Sequence, residues 1–555
     1  TLAVSGNISS SAITLNSGGV ISAGTAAASA KFNAASLTVN GGSGYDFTIT
    51  NVGNFTAGTD YDQIALSGVL TLNNTAANPF TIYLNGTPTS WSNSGNYSWN
   101  IITAASQSGF SSGNFALNFA GFGVVGGNRT GLFAFTNPGA GNITLTYTAA
   151  GADSIWAGGT GTFSSNFTSA LTANATSIQF TGAGGNATNN ISNGTITSVN
   201  FITFNSTAGA YTLAANAGSA GNGTALTVLG DITNNSANAT GQTINMALEL
   251  GASSTGVVNT AAGDITLGGV VSGLNGIIKQ GNSTLTLKGN NTYTGGTTIS
   301  AGTLKVDGVL GGGNYSGAIS NSGRFNYAST TNQTLSGVIS GTGNIVLNGA
   351  STLTLSGNNT YNGTTTVNAG TLAISGAGQL GGGNYTKAID INGLTTTFLY
   401  NGTNNQTLTG VISGNGVLTK NNTGTLTLTA TNTYTGGTTV NGGTLKIGDR
   451  TNNTAAVAGT TTLSGGNLSY DLNATNYGVN GAITLTATST ITKLSGGYQI
   501  NLQSGTLNGG GQTLNIYVDT TAGTKPLYFN QTAGTSLGQV NILNGAVGED
   551  GAFGT

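Results

Sequence analysis

The residue types that carry most enzyme chemistry are scarce in this sequence. Histidine and cysteine are absent from its 555 residues, so there is no imidazole base or ligand, no thiol nucleophile and no thiolate ligand for zinc. The 14 acidic residues include one tight cluster, Asp60-Tyr-Asp62, with Asp46 in the same region. Paired catalytic carboxylates must converge in space, and the sequence predicts no groove lined by such a pair. We therefore predict that the protein is not an enzyme and has no catalytic residue.

Asp60 and Asp62 are the candidate metal site. On an extended strand their side chains would share one face, where carboxylate oxygens could bind calcium or contact a sugar. The alternative interpretation is a solvated turn that follows Gly58. Apart from this weak calcium site, the sequence predicts no metal, and it predicts no cofactor.

Composition argues against partners that depend on charge. Charged residues make up 5% of the chain, with 12 Lys and Arg against 14 Asp and Glu. No basic patch is available to neutralise a phosphate backbone, so no nucleic-acid partner is predicted. No run of 18 apolar residues is present, so no helix is predicted to span a membrane. High glycine with low charge is also typical of disorder. The regular alternation of Leu, Val and Ile favours a folded chain instead.

The chain is organised around a repeated unit. It reads GNSTLTLKGNNTYTGGTTISAGTLKV at residues 281–306 and returns at residues 349–374 and 422–447. The segment from Thr284 to Leu287 alternates polar and apolar residues, as a strand with one buried face does. Leu285 and Leu304 occupy equivalent places 19 residues apart. Short strands that return about every 20 residues predict an all-β parallel solenoid, because a sandwich does not need the same residues at the same place on successive turns.

A longer period is superimposed on the coils. Tyr293, Tyr361 and Tyr434 are 68 and 73 residues apart, so a super-repeat of about 70 residues holds three or four coils, and the five extra residues predict an inserted loop. We expect the tyrosines to form a stacked ladder between super-repeats; the alternative is an exposed stripe that stacks on glycans. The residues predicted to form the repeated structural core are Leu285, Leu287, Tyr293, Leu304, Leu353, Leu355, Tyr361, Leu372, Leu426, Leu428, Tyr434 and Leu445.

Asparagine and proline fit the same architecture. Asn is abundant at the predicted turns, where stacked coils can join equivalent side chains into amide ladders. No proline occurs between Pro138 and Pro526, which suits coils whose N–H groups all donate to a neighbouring coil.

The text GTLTLTATNTYTGGTTVNGGTLKI at residues 424–447 resembles the passenger-associated transport repeat of autotransporters. The sequences of the linking segments, NQTLSGVISGTGNIVL and LGGGNY, also resemble those found in such passengers. The resemblance implies export to the bacterial cell surface or secretion. It implies no particular ligand, because such passengers include adhesins, toxins and stalks.

Four sections are predicted from the regularity of the repeats and the aromatic content of the sequence. Residues 1–150 form a less regular β section that contains aromatic residues, residues 151–268 a solenoid with weak repeats, residues 269–450 the three clear repeats, and residues 451–555 a continuation. The text of residues 45–72 resembles the closing part of long autotransporter-like passengers, and DSIWAGG at residues 153–159 resembles their opening. This order predicts either one unit of a longer tandem array or a subunit that stacks on the next.

We predict a right-handed parallel β-solenoid with a mechanical, extracellular role. The strand-like first residues and the lack of a charged or helical cap predict head-to-tail stacking into a homopolymer, as a stalk or fibre subunit. The alternative is an adhesin passenger that holds a glycan or a host surface through residues 40–135. A polysaccharide-active enzyme is a remote alternative, since parallel β-helices include lyases and hydrolases.

Overall fold

The computed structural model of the chain is almost entirely β-structure. It describes residues 2–3, 6–25, 28–53, 55–75, 79–91, 96–122, 132–139, 141–148, 154–156, 158–162, 167, 177–189, 198–215, 225–251, 256–450, 455–457, 459–472, 477–478, 481–494, 500–519, 527–533, 537–544 and 547–549. The helical turns among these residues are the three-residue 3₁₀ segments Ser112–Asn114, Gly311–Gly313 and Gly381–Gly383. In this part of the chain, no helix has the length and hydropathy to cross a membrane.

The chain forms two compact units. The first unit comprises Thr1–Leu304 with Leu310–Gly312, and the second comprises Lys305–Val309 with Gly313–Thr555. These limits come from the contacts within each unit. The four sections distinguished by sequence texture stay predictions.

The beginning of the first unit is a solenoid with long coils. Ile64 pairs in parallel with Ile102, on a strand much further along the chain, and an antiparallel hairpin closes the sheet. One ladder contains Leu2–Ala3, Val20–Ser22, Gly44–Thr48, Phe80–Gly86 and Phe115–Phe122. The other contains Gly6–Leu15, Lys31–Asn40, Gln63–Leu66, Val69–Asn73, Tyr97–Thr103, Ser106–Ser108 and the hairpin Leu132–Thr136 and Ile143–Thr148. The β-structure of this region is confirmed, whereas the limits of the predicted section, residues 1–150, stay a prediction.

The rest of the first unit is a three-sided parallel solenoid. Its coils become shorter along the chain, since Ile202 pairs with Ile232 but Ile265 already pairs with Leu285. One face contains Ser154–Trp156, Ile178–Phe180, Ile202–Phe204, Ile232–Asn234, Val257–Asn259, Ile277–Gln280 and Thr297–Ile299. A second contains Gly161–Thr162, Gly185–Asn189, Tyr211–Ala215, Gln242–Ile244, Ile265–Leu267 and Thr284–Leu287. The third contains Ser198–Val199, Leu226–Val228, Leu248–Leu250 and Val271–Gly273. The strand Thr303–Val306 lies where the two units divide.

The second unit is also built from parallel ladders. The longest contains Asn314–Tyr315, Gln333–Leu335, Thr352–Leu355, Thr371–Gly376, Thr397–Gly402, Val417–Lys420, Thr438–Val440, Thr461–Ser464, Ile483–Ala487, Ile500–Asn508, Leu527–Ala533 and Val547–Glu549, with Tyr477–Gly478 beside it. Another contains Arg324–Tyr327, Asn344–Leu347, Thr365–Val367, Ile389–Ile391 and Ile412–Gly414. Two further ladders are separate from each other. One contains Ile319–Asn321 and Ile339–Ser340, and the other contains Asn384–Tyr385, Gln406–Leu408, Thr425–Leu428, Thr444–Ile447, Asn467–Tyr470, Ser489–Lys493, Thr513–Val518 and Gln539–Asn544.

Coil length in the second unit explains the inserted loop. Asn314 pairs with Thr334, whereas the equivalent Asn384 pairs with Thr407, so the later coil is the longer of the two. The longer coil contains a turn at Leu394, which is 79% exposed. The sequence-based expectation of a parallel β-solenoid with coils of about 20 residues is confirmed, and so is the insertion between coils. The right-handed sense of the winding stays a prediction.

Alternation of side chains builds the core, and glycine lets the coils meet. Leu353, Leu372 and Phe398 stack in one inward column, and each is fully buried. At the corners the backbones approach closely: a Cβ on Gly349 would lie 1.9 Å from the carbonyl oxygen of Ser329. Corners of this kind need a residue with no side chain, which accounts for part of the glycine content.

Candidate functional site

The acidic pair is buried and bonded to the backbone. Both oxygens of the fully buried Asp62 carboxylate accept hydrogen bonds, Oδ1 from the Ala30 amide at 2.6 Å and Oδ2 from the Thr48 amide at 2.8 Å. Burial raises the pKa of Asp62 to about 6, against the effect of these amide donors. Burial also raises the pKa of Asp46. Asp62 therefore joins three segments of the first unit.

Asp60 has a similar structural role in the turn that directly precedes Asp62. It is 5% exposed and accepts hydrogen bonds from Asn51 Nδ2 at 3.1 Å and from the Thr56 amide at 2.8 Å. The interpretation of a solvated turn is wrong, because both aspartates are buried and their carboxylates accept hydrogen bonds from amide groups of the protein. The described residues contain no group of three or more His, Cys, Asp or Glu placed to hold a metal ion. Calcium at Asp60 and Asp62 stays a prediction.

All twelve predicted repeat residues lie inside the solenoid. Leu285, Leu287, Tyr293, Leu304, Leu353, Leu355, Tyr361, Leu372, Leu426, Leu428, Tyr434 and Leu445 are each 0% exposed. The alternative of an exposed tyrosine stripe for glycan stacking is therefore wrong. Burial removes these rings from any ligand outside the coils.

The expected ladder of equivalent tyrosines is also wrong in the second unit. The strand at Leu353 is followed in its ladder by those at Leu372, Phe398 and Leu418. Leu426, the repeat equivalent of Leu353, lies on the next face, where it pairs with Gln406. The 73-residue period therefore spans three full coils and one additional face of the solenoid. As a result, the backbone amide of Tyr361 bonds to the Ile339 carbonyl, whereas the amide of Thr433, the residue before Tyr434, bonds to the Ile412 carbonyl in another ladder.

Each of these tyrosines instead belongs to a buried Asn–Tyr–Thr group. Tyr361 bonds through its hydroxyl to Thr365 Oγ1 at 2.7 Å, and Tyr385 bonds to the same oxygen at 2.7 Å. The rings of Tyr361 and Tyr385 have centroids 5.4 Å apart. The other two copies use Tyr293 with Thr297 and Tyr434 with Thr438.

The asparagine of the group joins adjacent coils. Asn359 Oδ1 accepts a hydrogen bond from the Ile339 amide at 2.9 Å, and Nδ2 donates to the Gly357 and Gln379 carbonyls at 2.8 and 3.1 Å. Asn291 and Asn432 repeat the acceptor and one donor contact at the same positions. The sequence-based analysis missed this role, although an Asn two residues before each repeat tyrosine was a visible signal.

Two lysines are buried at equivalent positions of the first and third repeats. Lys279 Nζ donates to the carbonyls of Gln280, Gly281 and Ala301 at 2.6 to 3.0 Å. Lys420 Nζ does the same with Asn421, Asn422 and Gly442 at 2.6 to 3.0 Å. The second repeat has the fully buried Leu347 at this position. Burial lowers the pKa of both lysines to about 8.

The lowered pKa values of these two lysines predict that the stability of the fold rises with pH. Between about pH 8 and 10 the unfolded chain retains protons that folded Lys279 and Lys420 have lost, so the free energy of unfolding should rise, by at most about 1.4 kcal/mol per lysine and pH unit. Above pH 10 the raised pKa of Tyr434 has the opposite effect and ends the window. Urea unfolding of the full chain and of the Lys279→Leu/Lys420→Leu variant across this window measures the effect.

The double variant should lose most of the rise, because leucine at both positions repeats the Leu347 arrangement. Lys305→Leu is a suitable control, since this lysine side chain is 38% exposed and pairs with Asp307 at 2.9 Å. An equal pH slope in the full chain and the double variant would contradict the assignment to these two lysines.

Asparagines on the outer surface form ladders across the coils. Asn348, Asn368 and Asn392 each donate from Nδ2 to Oδ1 of the ladder residue one coil before, at 2.9, 2.7 and 3.0 Å, starting from Asn326. The predicted amide ladders are therefore present. They order the corners by neutral hydrogen bonds rather than by charge.

A partly exposed aromatic cluster lies in the first unit. Half-buried Trp91 has its ring centroid 4.9 Å from that of Tyr97 and 4.7 Å from that of Tyr147. Phe55 is 37% exposed and lies 6.0 Å from Tyr97. Trp91 and Trp99 are parallel within 4°. The sequence analysis placed a binding region over residues 40–135 but did not select these residues.

Comparison with known proteins agrees with this repeat geometry. Residues 277–306, 345–374 and 418–447 match the family described as Passenger-associated-transport-repeat. The chain carries the repeats of an autotransporter passenger. Each match begins one strand before the Leu-rich strand and ends in the next coil, so it contains the Asn–Tyr–Thr group and, in two copies, the buried lysine.

A relative from Brucella suis biovar 1 (strain 1330) is named Adhesin BmaC autotransporter. It is 37% identical over 134 residues, which cover 20% of this chain and 4% of the relative. The matched segment is thus a small part of that protein's length. No solved structure is a significant match. The passenger repeats indicate a location at the cell surface or outside the cell, as the sequence analysis predicted.

Proposed function

We propose that the solenoid of this passenger is a structural spacer in an extracellular adhesin-type protein. The observation that supports it is the orientation of the repeat: its twelve core Leu and Tyr side chains are buried, and so are Asn359 and Lys420, which bond to neighbouring coils. The outer surface repeats small neutral groups, such as the parallel column Thr419, Thr439, Thr462 and Thr484. A solenoid of this type adds length in one dimension with each coil.

The spacer proposal predicts that length follows the number of coils. Removing residues 345–417 joins equivalent positions of the second and third repeats and deletes three coils and one face, which is about 16 Å at roughly 4.8 Å per coil. Small-angle scattering of the purified chain and of this variant should show particles shorter by that amount, with β-structure retained. Duplicating residues 345–417 should lengthen the particle equally.

The same variants separate a spacer from a binding module. Purified full chain and folded deletion variant should bind host cells equally, because the removed coils serve only as length. Loss of binding in the folded variant would overturn the spacer role for these coils. A deletion of residues 345–405 is the matched control, since it breaks the register and should fail to fold.

Self-association is part of the proposal as the sequence predicted it: copies stacked head to tail through pairing of solenoid strands. Parallel ladders support it, because an added coil pairs by the same backbone hydrogen bonds as those within the chain. Electron microscopy over a concentration series should show unbranched fibres. Particles that stay single at the highest concentration would count against stacking and leave the spacer role intact.

Adhesion through residues 40–135 is a second candidate function. The observation that favours it is the partly exposed aromatic cluster around Trp91, in which Phe55 is 37% exposed. Catalysis, the remote alternative, has no comparable support in the described residues.

A further inference from the structure

The rings of Phe55, Trp91 and Tyr97 form a contiguous aromatic patch on the first unit, named here the aromatic platform. Adjacent ring centroids are 6.0 Å apart for Phe55 and Tyr97 and 4.9 Å for Trp91 and Tyr97. The platform rests on fully buried Trp99, whose ring is 6.3 Å from both Phe55 and Trp91. The three rings are therefore supported from below while part of their surface faces outward.

Backbone strain presents two of these rings. The non-glycine residues with positive φ in the described part of the chain are Phe55, Ser90, Asn422 and Arg450, at 55°, 63°, 58° and 69°. Phe55 is in the platform, and Ser90 directly precedes Trp91. A bulky residue rarely adopts this conformation, and such strain is typically retained at sites that bind ligands. A glycine at either position would remove the strain, so folding alone does not explain the residues present.

One hydrogen-bond network fixes both strained segments. Asp60 accepts from the Thr56 amide, beside Phe55, and from Asn51 Nδ2. Asn51 Oδ1 in turn accepts from Thr89 Oγ1 at 3.2 Å, two residues before Trp91. The Asp60 carboxylate is thereby used inside the protein. The platform is pre-organised, which lowers the entropic cost of binding.

The exposed chemistry of the platform is aromatic and neutral. Thr89 and Ser90, which directly precede Trp91, are exposed and neutral, and the Thr89 hydroxyl already bonds to Asn51. Flat rings pack against the C–H faces of pyranoses, and hydroxyls bond to sugar hydroxyls, whereas an acidic glycan or a phosphate calls for Lys or Arg. Exposed apolar patches on soluble proteins commonly mark binding sites.

We propose that the aromatic platform of Phe55, Trp91 and Tyr97 binds neutral glycans by stacking on pyranose rings. This inference rests on the second candidate function, adhesion, and is independent of the spacer role. It assigns Asp60, one of the residues singled out from the sequence, to positioning Phe55 rather than to ligand contact.

The test uses the full chain and two glycine variants on a printed array of neutral and acidic glycans. Phe55→Gly removes a ring and relieves a positive φ of 55°, and Asn422→Gly relieves a positive φ of 58° outside the platform. Neither variant should lower the melting temperature. Phe55→Gly should weaken retention of neutral glycans at least tenfold, and Asn422→Gly should keep it within about twofold. Quenching of tryptophan fluorescence by the retained glycan gives an independent affinity.

Each outcome has a distinct meaning. Neutral glycan retention that is equal in Phe55→Gly and the unaltered chain would overturn the platform and leave adhesion standing. Retention of acidic glycans only, or binding to host cells treated to remove surface glycans, would also overturn it and point to another ligand. If the chain binds neither glycans nor host cells, the adhesion function itself fails.

Discussion

Replacing Asn359 by alanine is expected to lower the free energy of unfolding of the second unit by about 3 to 5 kcal/mol, because buried partners lose their bonds. The Ile339 amide loses its acceptor at 2.9 Å, and the Gly357 and Gln379 carbonyls lose donors at 2.8 and 3.1 Å. Asn359 is 0% exposed, so water does not replace these bonds without opening the coil. Urea unfolding followed by circular dichroism measures the change.

Asn368→Ala is the matched control for Asn359→Ala. Asn368 is exposed and belongs to the outer amide ladder, where its Nδ2 donates to Asn348 at 2.7 Å. Water can satisfy the groups left behind, so the expected cost is below about 0.5 kcal/mol. A cost of less than about 1 kcal/mol for Asn359→Ala would contradict the view that the buried amide joins the coils.

Replacing Tyr361 by alanine is the second large effect, an expected loss of about 3 to 5 kcal/mol from the cavity left by a large buried ring. Tyr361 is fully buried, lies 5.4 Å from Tyr385 between ring centroids, and bonds to Thr365 Oγ1. Tyr361→Phe keeps the ring and removes only the hydroxyl. Because Tyr385 still bonds to Thr365 at 2.7 Å, that change should cost only about 1 kcal/mol.

The ratio of these two costs tests what the tyrosine contributes. If Tyr361→Phe were as damaging as Tyr361→Ala, the hydrogen bond rather than packing would dominate. Tyr517→Ala, at a site that is 37% exposed in the same unit, provides the comparison for a surface tyrosine and should cost less than Tyr361→Ala. Melting temperatures of the four proteins, measured side by side, give the order.

The two large effects share a structural cause. In the second unit the equivalent positions of successive repeats lie on different faces, since the 73-residue period is three coils and one face. Each Asn–Tyr–Thr group therefore meets a different neighbour: Asn359 donates to Gln379, whereas Asn432 donates to Ala456. The groups act as separate fasteners between coils, and a loss at one position should not propagate through a column of tyrosines.

The coil and its repeated core follow from the amino-acid pattern alone. Alternating residues such as Leu353 and Leu355 define which side of a strand is buried, because neighbouring side chains on a strand point to opposite faces. Regular return of the same pattern then requires coils that stack in parallel, as the pairs Leu353–Leu372 and Leu426–Leu445 show. Local pattern is sufficient here because each coil contacts mainly its own neighbours.

Which polar residues are buried depends on contacts between coils that no local pattern shows. Asp62, Lys420 and Asn359 are residue types that usually lie at the surface, and their burial depends on amides and carbonyls contributed by other coils. The face on which a repeat lies depends on the summed lengths of all turns in a super-repeat, which no short pattern contains. The aromatic platform depends on the positive φ of Phe55 and Ser90, a backbone choice that residue type alone argues against.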